Sequence, residues 1–229
     1  MGETGGFWHK TSIRYTIFIY FTVSALVAVL LIGAALYAQM SHQLTAAVQE
    51  ENRAVLGQVG RFVDSYLRTI MKLSDSLYYG VIKNADLSEE PITGQITLLY
   101  DNNKDSVANI ALLDKKGQLL EAVPAARLKT GLEVTKEPWF SNTLNRTDNL
   151  HFTTPHVQYM FDNHESQYKW VITLTRAVEI TRGTSTDQGI LLIDIRYSSL
   201  QQLLDNITLG NGGYLYMIGS DGQIIYHPK

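Results

Sequence analysis

The sequence predicts an α+β protein in which a membrane-spanning helix and a long extracytoplasmic helix precede an antiparallel sheet. Three observations lead to this prediction. Residues 15–38 are apolar and uncharged, residues 44–81 repeat apolar side chains every three or four positions, and the chain after residue 107 contains runs typical of strands. A long helix followed by strands, a short helix and further strands is typical of an α+β domain with an antiparallel sheet.

The first element is the apolar segment 15–38. It is slightly longer than the ~20 residues that a helix needs to cross a hydrocarbon core of ~30 Å. Lys10 and Arg14 precede it, and no Asp, Glu, Lys or Arg follows until Glu50. The positive-inside rule therefore predicts a single-pass protein of the cell membrane, with residues 1–14 as a cytoplasmic tail and the bulk of the chain outside.

A cleaved signal peptide is the alternative interpretation of this segment. Its small-residue cleavage site would be Gly33-Ala34-Ala35. The apolar region of a signal peptide usually runs only ~7–15 residues, which is shorter than residues 15–38. An uncleaved anchor is therefore the preferred interpretation, and both place the remaining chain outside the cytoplasm.

Composition excludes several classes of function. The net charge of −3 gives no basic surface for nucleic acid, and the absence of cysteine excludes disulfides, thiolate chemistry and zinc–thiolate sites. No nucleophile–base–orienter set is present, and no serine stands in a strained elbow motif. We therefore expect no active site in this chain, no cofactor and no nucleic-acid partner.

Residues 39–83 form the second element, a long extracytoplasmic helix. The apolar positions share one face at spacings of three, four and seven, and the opposite face is charged. They are Leu44, Val48, Val55, Val59, Phe62, Tyr66, Ile70, Leu73, Leu77 and Val81. Because this stripe has to meet another apolar surface, the helix is expected to pack on a sheet, on a second helix or on its copy in a homodimer.

The remaining elements follow from alternation and turn residues. A loop is predicted over 85–93, with helices at 95–102 and 138–145 and a capped helix that starts at Ser198 or Ser199 and ends at Gly210. Strands are predicted over 107–114, 118–123, 168–180 and 189–195, with an extended segment at 151–159 and a polar hairpin loop at 181–188.

The last residues repeat an earlier hairpin. Residues 214–226 align with residues 109–121, because Gly222-Gln223 falls on Gly117-Gln118 and apolar residues coincide on both sides. We therefore expect one complete sheet unit at 84–209 and the start of a second at 210–229. Since only two strands of the second copy are present, the sequence predicts either a fragment or a truncated gene.

These features resemble a double Cache sensor domain, a pair of PAS-like units outside the membrane. The residues that carry the resemblance are Pro138-Trp139-Phe140, the strand from Trp170 to Val178, GILLIDI with Asp194, and the ending GNGGYLYMIGSDGQIIYHP. Within that superfamily, the chain is most similar to sensor histidine kinases of the YesM type. The segments that carry this similarity are LSDSLYYGVIKN, GILLIDIRYSSL and IIYHP.

The resemblance implies a small-molecule pocket in the membrane-distal unit. Members that bind amino acids have an Arg two positions before the Trp, and here that position is Glu137. Because the Arg would hold a carboxylate, we expect a sugar or another small polar solute rather than an α-amino acid. The residues expected to bind the ligand are Trp139, Phe140, His156, Gln158 and Asp194.

Each of these residues has a structural interpretation as well. Asp194 can simply accept a hydrogen bond at the end of its strand, since a carboxylate buried without compensation costs several kcal/mol. Trp139 and Phe140 can cover a ligand or anchor a short helix on the sheet. The histidines His151, His156 and His164 have no carboxylate at ligand spacing, so no metal is expected.

We expect this chain to be the ligand-sensing part of a membrane receptor, most closely a two-component sensor histidine kinase. Its response regulator would be reached only through a cytoplasmic kinase domain that this chain lacks. The alternatives are the sensor of a methyl-accepting chemoreceptor and a membrane-anchored solute-binding protein without signalling output. An exported enzyme is the weakest alternative.

Overall fold

In the computed structural model of the protein, residues 13–89, 91–146, 150–162, 169–207, 213–219 and 222–228 are described. Helix α1 runs from Ile13 to Asp75, and the π-helix Ser76–Ile82 continues it. The chain divides into two compact units, Met1–Leu56 and Gly57–Lys229.

The described part of the first unit is helical, and it is apolar and uncharged over residues 15–38. Its large apolar side chains between Ile13 and Tyr37 are exposed, and the 18-residue window of highest mean hydropathy reaches 2.5. A helix of this length and composition can cross a membrane. The predicted orientation stays a prediction, and most of the predicted cytoplasmic tail, including Lys10, lies outside the described residues.

The second unit contains an antiparallel sheet, as the sequence predicts. The strands are β1 (Val107–Asp114), β2 (Leu119–Val123), β3 (Arg127–Leu128), β4 (His151–Phe152), β5 (His156–Val157), β6 (Phe161–Asp162), β7 (Trp170–Arg182), β8 (Ser185–Arg196), β9 (Met217–Ile218) and β10 (Ile224–Tyr226). The main sheet has the order β2-β1-β8-β7-β4, and β5 also pairs with β7. The pairs β3–β6 and β9–β10 form two small sheets.

The short helices of this unit are α2 (Thr93–Asp101), α3 (Pro138–Asn145) and α4 (Tyr197–Asp205), with a 3-10 turn at Val134–Lys136. Helix α3 coincides with the predicted segment, and Pro138 occupies its first turn, where the missing N–H costs no hydrogen bond. The predicted serine cap of α4 is wrong, because Arg196 precedes the helix and Ser199 instead donates to the carbonyl of Asp105. The predicted helix end at Gly210 lies outside the described residues.

The hairpin loop predicted over residues 181–188 is also wrong. Strands β7 and β8 stay paired as far as Arg182 and Ser185, which leaves Gly183 and Thr184 as a two-residue turn. Gly183 has a φ of 59°, the left-handed region that such a turn requires. The polar residues extend the ladder beyond the core as an exposed ribbon, and a two-stranded ribbon needs no apolar alternation.

The two faces of the main sheet bury different elements. One face holds a core cluster to which α3 and the β3–β6 pair contribute, made of Ala111, Leu113, Val134, Phe140, Met160, Phe161, Ile190 and Leu192. The other face is covered by the π-helix and by α4, with Leu77, Ile82, Leu200 and Leu204 buried. Because side chains alternate along a strand, neighbouring residues of β7 and β8 serve opposite faces.

Candidate functional site

Strand register brings three polar side chains together in the middle of the sheet. Asp194 of β8 lies opposite Asn109 of β1 on one side and opposite Thr173 of β7 on the other. The register of β1 shifts between Val107 and Asn109, a β-bulge of the kind that re-aims a side chain. Directly paired residues have side chains within contact distance, so the three polar groups form one cluster.

The carboxylate of Asp194 is almost completely buried, with 2% of the residue exposed. Thr173 Oγ1 donates to its Oδ1 at 2.6 Å, and Asn109 Nδ2 donates to its Oδ2 at 3.1 Å. Burial raises the pKa of Asp194, while the two hydrogen bonds and the nearby His156 ring act in the opposite direction. Thr173 and Asn109, the described hydrogen-bond partners of this buried carboxylate, are both neutral.

His156 reaches the same cluster from strand β5. Its Nε2 is 3.4 Å from Thr173 Oγ1, and its Nδ1 is 3.0 Å from the carbonyl of Thr154. Thr153 Oγ1 accepts the backbone N–H of Thr173 at 2.9 Å, which fixes the β4–β5 turn against β7. The hydroxyl of Thr173 thus joins the imidazole to the carboxylate.

Trp139 and Tyr159 form the adjoining part of the site. Trp139 Nε1 donates to the hydroxyl of Tyr159 at 3.2 Å, and that hydroxyl donates to Glu137 Oε2 at 2.9 Å. The Tyr159 ring lies 5.9 Å from the His156 ring. Burial raises the pKa of Tyr159, and the charges of Glu137 and Asp194 raise it further.

Phe140 and Gln158 occupy different surroundings. Phe140 is 3% exposed and belongs to the core cluster, where its ring meets Trp139 edge-on at 5.7 Å. This position favours the anchoring interpretation of Phe140 and leaves Trp139 as the residue that can cover a ligand. Gln158 Nε2 is buried and has no hydrogen-bond partner within the described part of the chain, as is also true of His151 Nε2.

The structure therefore connects His156 and Asp194 through Thr173, and Trp139 to them through Tyr159. Sequence reasoning missed Thr173, Asn109 and Tyr159. Polar residues inside apolar strands were the signal for the first two, since Asn109 and Thr173 interrupt buried runs just as Asp194 does. No group of His, Cys, Asp and Glu suited to a metal ion occurs among the described residues, and His164 lies outside them.

Comparisons with known proteins identify the family. A family model described as the Cache domain matches residues 39–229. The methyl-accepting chemotaxis protein McpG of Pseudomonas putida KT2440 is 20% identical over 182 residues, which cover 80% of this chain and 27% of that protein. This chain thus spans about a quarter of the length of the curated relative that it matches.

Solved structures of three chemoreceptor domains share the fold. The sensory domain of Campylobacter jejuni Tlp3 with isoleucine bound has a TM-score of 0.55 at 14% identity, covering 75% of this chain and 66% of that one. The domain of Pseudomonas aeruginosa PctC with GABA has a TM-score of 0.53 at 18% identity, with coverages of 76% and 73%. Pseudomonas fluorescens CtaA with L-isoleucine has a TM-score of 0.51 at 17% identity, with coverages of 74% and 64%.

These neighbours correct one prediction and leave another unconfirmed. The preference for a sugar or another small polar solute over an amino acid is wrong, because the neighbours bind GABA and isoleucine. That preference rested on the carboxylate end of a ligand, through Glu137, and gave no weight to the amino end. The histidine kinase prediction is not confirmed, and the chemoreceptor alternative agrees better with these relatives.

Proposed function

Because the chain belongs to the Cache domain family, whose members sense ligands outside the cell, we propose that it is the sensor of a chemoreceptor for a small amino compound. The curated relative is a methyl-accepting chemotaxis protein, and the structural neighbours are chemoreceptor domains that bind amino acids. Both support chemoreceptor output over kinase output. The apolar helix fits a membrane anchor for such a receptor.

The observation that carries the proposal is the buried carboxylate of Asp194. A buried carboxylate that has only neutral hydrogen-bond partners is costly, and a cation that reaches it lowers that cost. Its described partners are Thr173 and Asn109, both neutral. The ammonium group of an amino acid supplies the missing charge and three N–H donors, so Asp194 is assigned to the amino end of the ligand.

Of the other predicted residues, we assign His156, Trp139 and Gln158 to the ligand as well. His156 lies beside Thr173, and the ring of Tyr159 lies beside His156. Trp139, whose indole N–H donates to Tyr159, would offer its ring face to the ligand's apolar part. Gln158 contributes an amide nitrogen that has no other partner in the described part of the chain. Phe140 is assigned a supporting role, since its ring packs behind Trp139 in the core.

Recognition of the carboxylate end is weaker in this proposal. Glu137 stands where a cation would hold a carboxylate, and its Oε2 already accepts the Tyr159 hydroxyl. The neighbouring Lys136 is exposed and pairs with Glu133 at 2.6 Å. We therefore expect affinity to depend on the amino group of the ligand more strongly than on its carboxylate.

Calorimetric titration of the full chain in detergent micelles tests this proposal. L-isoleucine and GABA are the first probes, and N-acetyl-L-isoleucine and 2-methylbutylamine remove the amino and the carboxylate functions of isoleucine in turn. Charge-assisted hydrogen bonds contribute ~1.5–3 kcal/mol each, so Asp194→Asn should weaken binding of a bound amino acid about ten- to a hundredfold. Trp139→Ala should weaken it as well.

Asp162→Asn is the matched control, because Asp162 is an exposed carboxylate of the same unit and its loss should leave affinity unchanged. Retained binding of 2-methylbutylamine with loss of N-acetyl-L-isoleucine binding would support the assignment of Asp194 to the amino group. An amino acid bound equally well by folded Asp194→Asn and Trp139→Ala variants would refute the proposed site.

A further inference from the structure

A cavity lies where α4 and β10 meet the end of the main sheet. It is an open cavity of about 640 Å³, bordered by the start of β7, the end of β8, α4 and β10. Trp170 precedes Thr173 by three positions in β7, so alternation puts their side chains on opposite faces. The volume lies within the ~300–1,000 Å³ that small-molecule sites occupy. The described lining includes none of the residues assigned to the site around Asp194, so this cavity is a distinct site.

The cavity has an aromatic and apolar wall. The ring of Trp170 is 54% exposed and lies 6.4 Å from the ring of Tyr197. The Tyr197 hydroxyl donates to the carbonyl of Ile225 at 2.9 Å, which ties β10 to the start of α4. Ile224, 63% exposed, continues the wall on the hairpin. A flat apolar molecule can stack on Trp170 without displacing another side chain.

The charged groups among the described lining residues have one sign. Lys169 and Arg196 carry positive charge there, His227 adds an imidazole, and none of the described lining residues is Asp or Glu. Arg196 Nε donates to the carbonyl of Lys104 at 2.9 Å, which positions its guanidinium. Within the described chain, no carboxylate forms an ion pair with Arg196. The nearest acid on α4, Asp205, accepts the hydroxyl of Tyr226 instead.

We propose that this cavity binds a small aromatic carboxylate. Arg196 would hold the carboxylate, because a guanidinium matches its geometry with two parallel hydrogen bonds, and Trp170 with Tyr197 would hold the ring. Charge complementarity argues against a cationic ligand, and the exposed Trp170 ring argues for a flat one. The ligand would join α4 and β10, two elements that already meet through Tyr197.

Ligand-observed fluorine NMR on the full chain in detergent micelles tests the cavity, with 4-fluorobenzoate as the probe. The neutral 4-fluorobenzyl alcohol and the cationic 4-fluorobenzylamine are matched probes of the same size, and empty micelles correct for partitioning. We expect 4-fluorobenzoate to bind and the other two to bind at least tenfold more weakly, because only the benzoate can pair with Arg196.

Two variants test the two halves of the cavity. Arg196→Gln should weaken 4-fluorobenzoate binding at least tenfold, and Trp170→Ala should weaken it about three- to tenfold through lost ring contacts. Lys129→Gln and Leu98→Ala are the controls, because both residues are exposed and lie outside the lining.

Circular dichroism verifies the fold of each variant. Trp170→Ala removes an exposed side chain and should fold, so it still tests binding in the cavity if Arg196→Gln fails to fold. Absence of probe binding at millimolar concentration, equal binding of all three probes, or an affinity that Trp170→Ala leaves unchanged would overturn the proposal. Self-association that displaces the probe would assign the cavity to a second copy of the chain and would overturn it too.

Discussion

Asp194 and Arg176 bury opposite charges on opposite faces of one sheet, and their hydrogen-bond partners differ in charge. Asp194 is 2% exposed and has neutral partners, Thr173 and Asn109, within the described residues. Arg176 lies on β7, and 13% of its side chain is exposed. Its Nη1 donates to Asp75 Oδ1 at 2.6 Å, so this charge has an ionic partner.

Aromatic rings complete the environment of Arg176. Its guanidinium lies 4.9 Å from the centroid of the Tyr78 ring and 5.0 Å from that of Tyr79, and its Nη2 donates to the Tyr79 hydroxyl at 3.2 Å. Both tyrosines belong to the π-helix Ser76–Ile82. Arg176 therefore fixes the irregular end of the long helix to the sheet with one ion pair and two cation–π contacts.

The difference between the two charges separates a structural role from a binding role. A buried charge that the protein compensates holds elements together, and its removal costs stability. A buried charge with neutral partners costs stability as it stands, and it is retained where something outside the fold supplies the opposite charge. In the absence of ligand, neutralising Asp194 should accordingly stabilise the fold, and removing Arg176 should destabilise it.

The largest effect is expected for Arg176→Ala. The variant loses the ion pair with Asp75 and both ring contacts, so we expect the free energy of unfolding to fall by about 2–3 kcal/mol. For a unit of this size that corresponds to about 4–12 °C in Tm. Thermal unfolding of the full chain in micelles measures the change.

Arg182→Ala provides the control for this variant. Arg182 is exposed at the far end of the same strand, and we expect its loss to change Tm by no more than about 2 °C, since surface substitutions stay within about 0.5 kcal/mol. Equal destabilisation by the two variants would mean that the contacts of Arg176 with the π-helix contribute nothing.

The second prediction concerns Asp194→Asn, which should stabilise the ligand-free chain. The amide is neutral and can keep both hydrogen bonds, accepting from Asn109 Nδ2 and donating to Thr173 Oγ1. We expect a gain of about 1 kcal/mol near neutral pH, the lower end of the effect of removing buried charge. Loss of stability in this variant would show that the charge is compensated inside the fold.

The pH dependence follows from the direction of the pKa shift. Burial raises the pKa of Asp194 above its unfolded value of ~3.9. Below that pH the carboxyl group is protonated in both the folded and the unfolded state, and its burial then carries no penalty for a charge. As the pH rises through the folded pKa, the unfolded state releases its proton more readily, and the native state loses stability. The gap between Asp194→Asn and the parent should therefore widen with pH and then level off.

The sequence predicted the elements better than it predicted the site. Apolar periodicity identified the long helix, the strands around Asp194 and helix α3, because burial of one face determines each of them. Asp194 was recognisable as a charge inside GILLIDI. Its partners Asn109 and Thr173 depend on strand register and on a β-bulge, and neither can be deduced from the composition of a single strand.

The sequence pattern did not distinguish the roles of Trp139 and Phe140, but their positions in the structure do. The two residues are adjacent in sequence, but α3 turns them in different directions, so that Phe140 enters the core and Trp139 meets Tyr159. The role of Arg176 was not predicted either, because its partners lie about a hundred residues away on the π-helix. Such contacts depend on which elements pack together, and one sequence without structure does not provide that information.

The smallest effect is expected for Asp75→Asn. Asp75 is the ionic partner of Arg176, but 54% of its side chain is exposed, so water screens its charge. Asp75→Asn keeps a hydrogen-bond acceptor for the guanidinium and leaves the Tyr78 and Tyr79 rings in place. We expect a loss of about 0.5 kcal/mol at low ionic strength, as is usual for an exposed partner.

The salt dependence of stability shows whether the small loss in Asp75→Asn is electrostatic. Raising the ionic strength to about 1 M shortens the Debye length to ~3 Å, and the difference between Asp75→Asn and the parent should then disappear. The Arg176→Ala deficit should persist under the same salt, because the ring contacts and the packing of the arginine stem remain lost. A deficit for Asp75→Asn as large as that for Arg176→Ala would mean that the ion pair alone fixes the π-helix, and the tyrosines would then have no separate contribution.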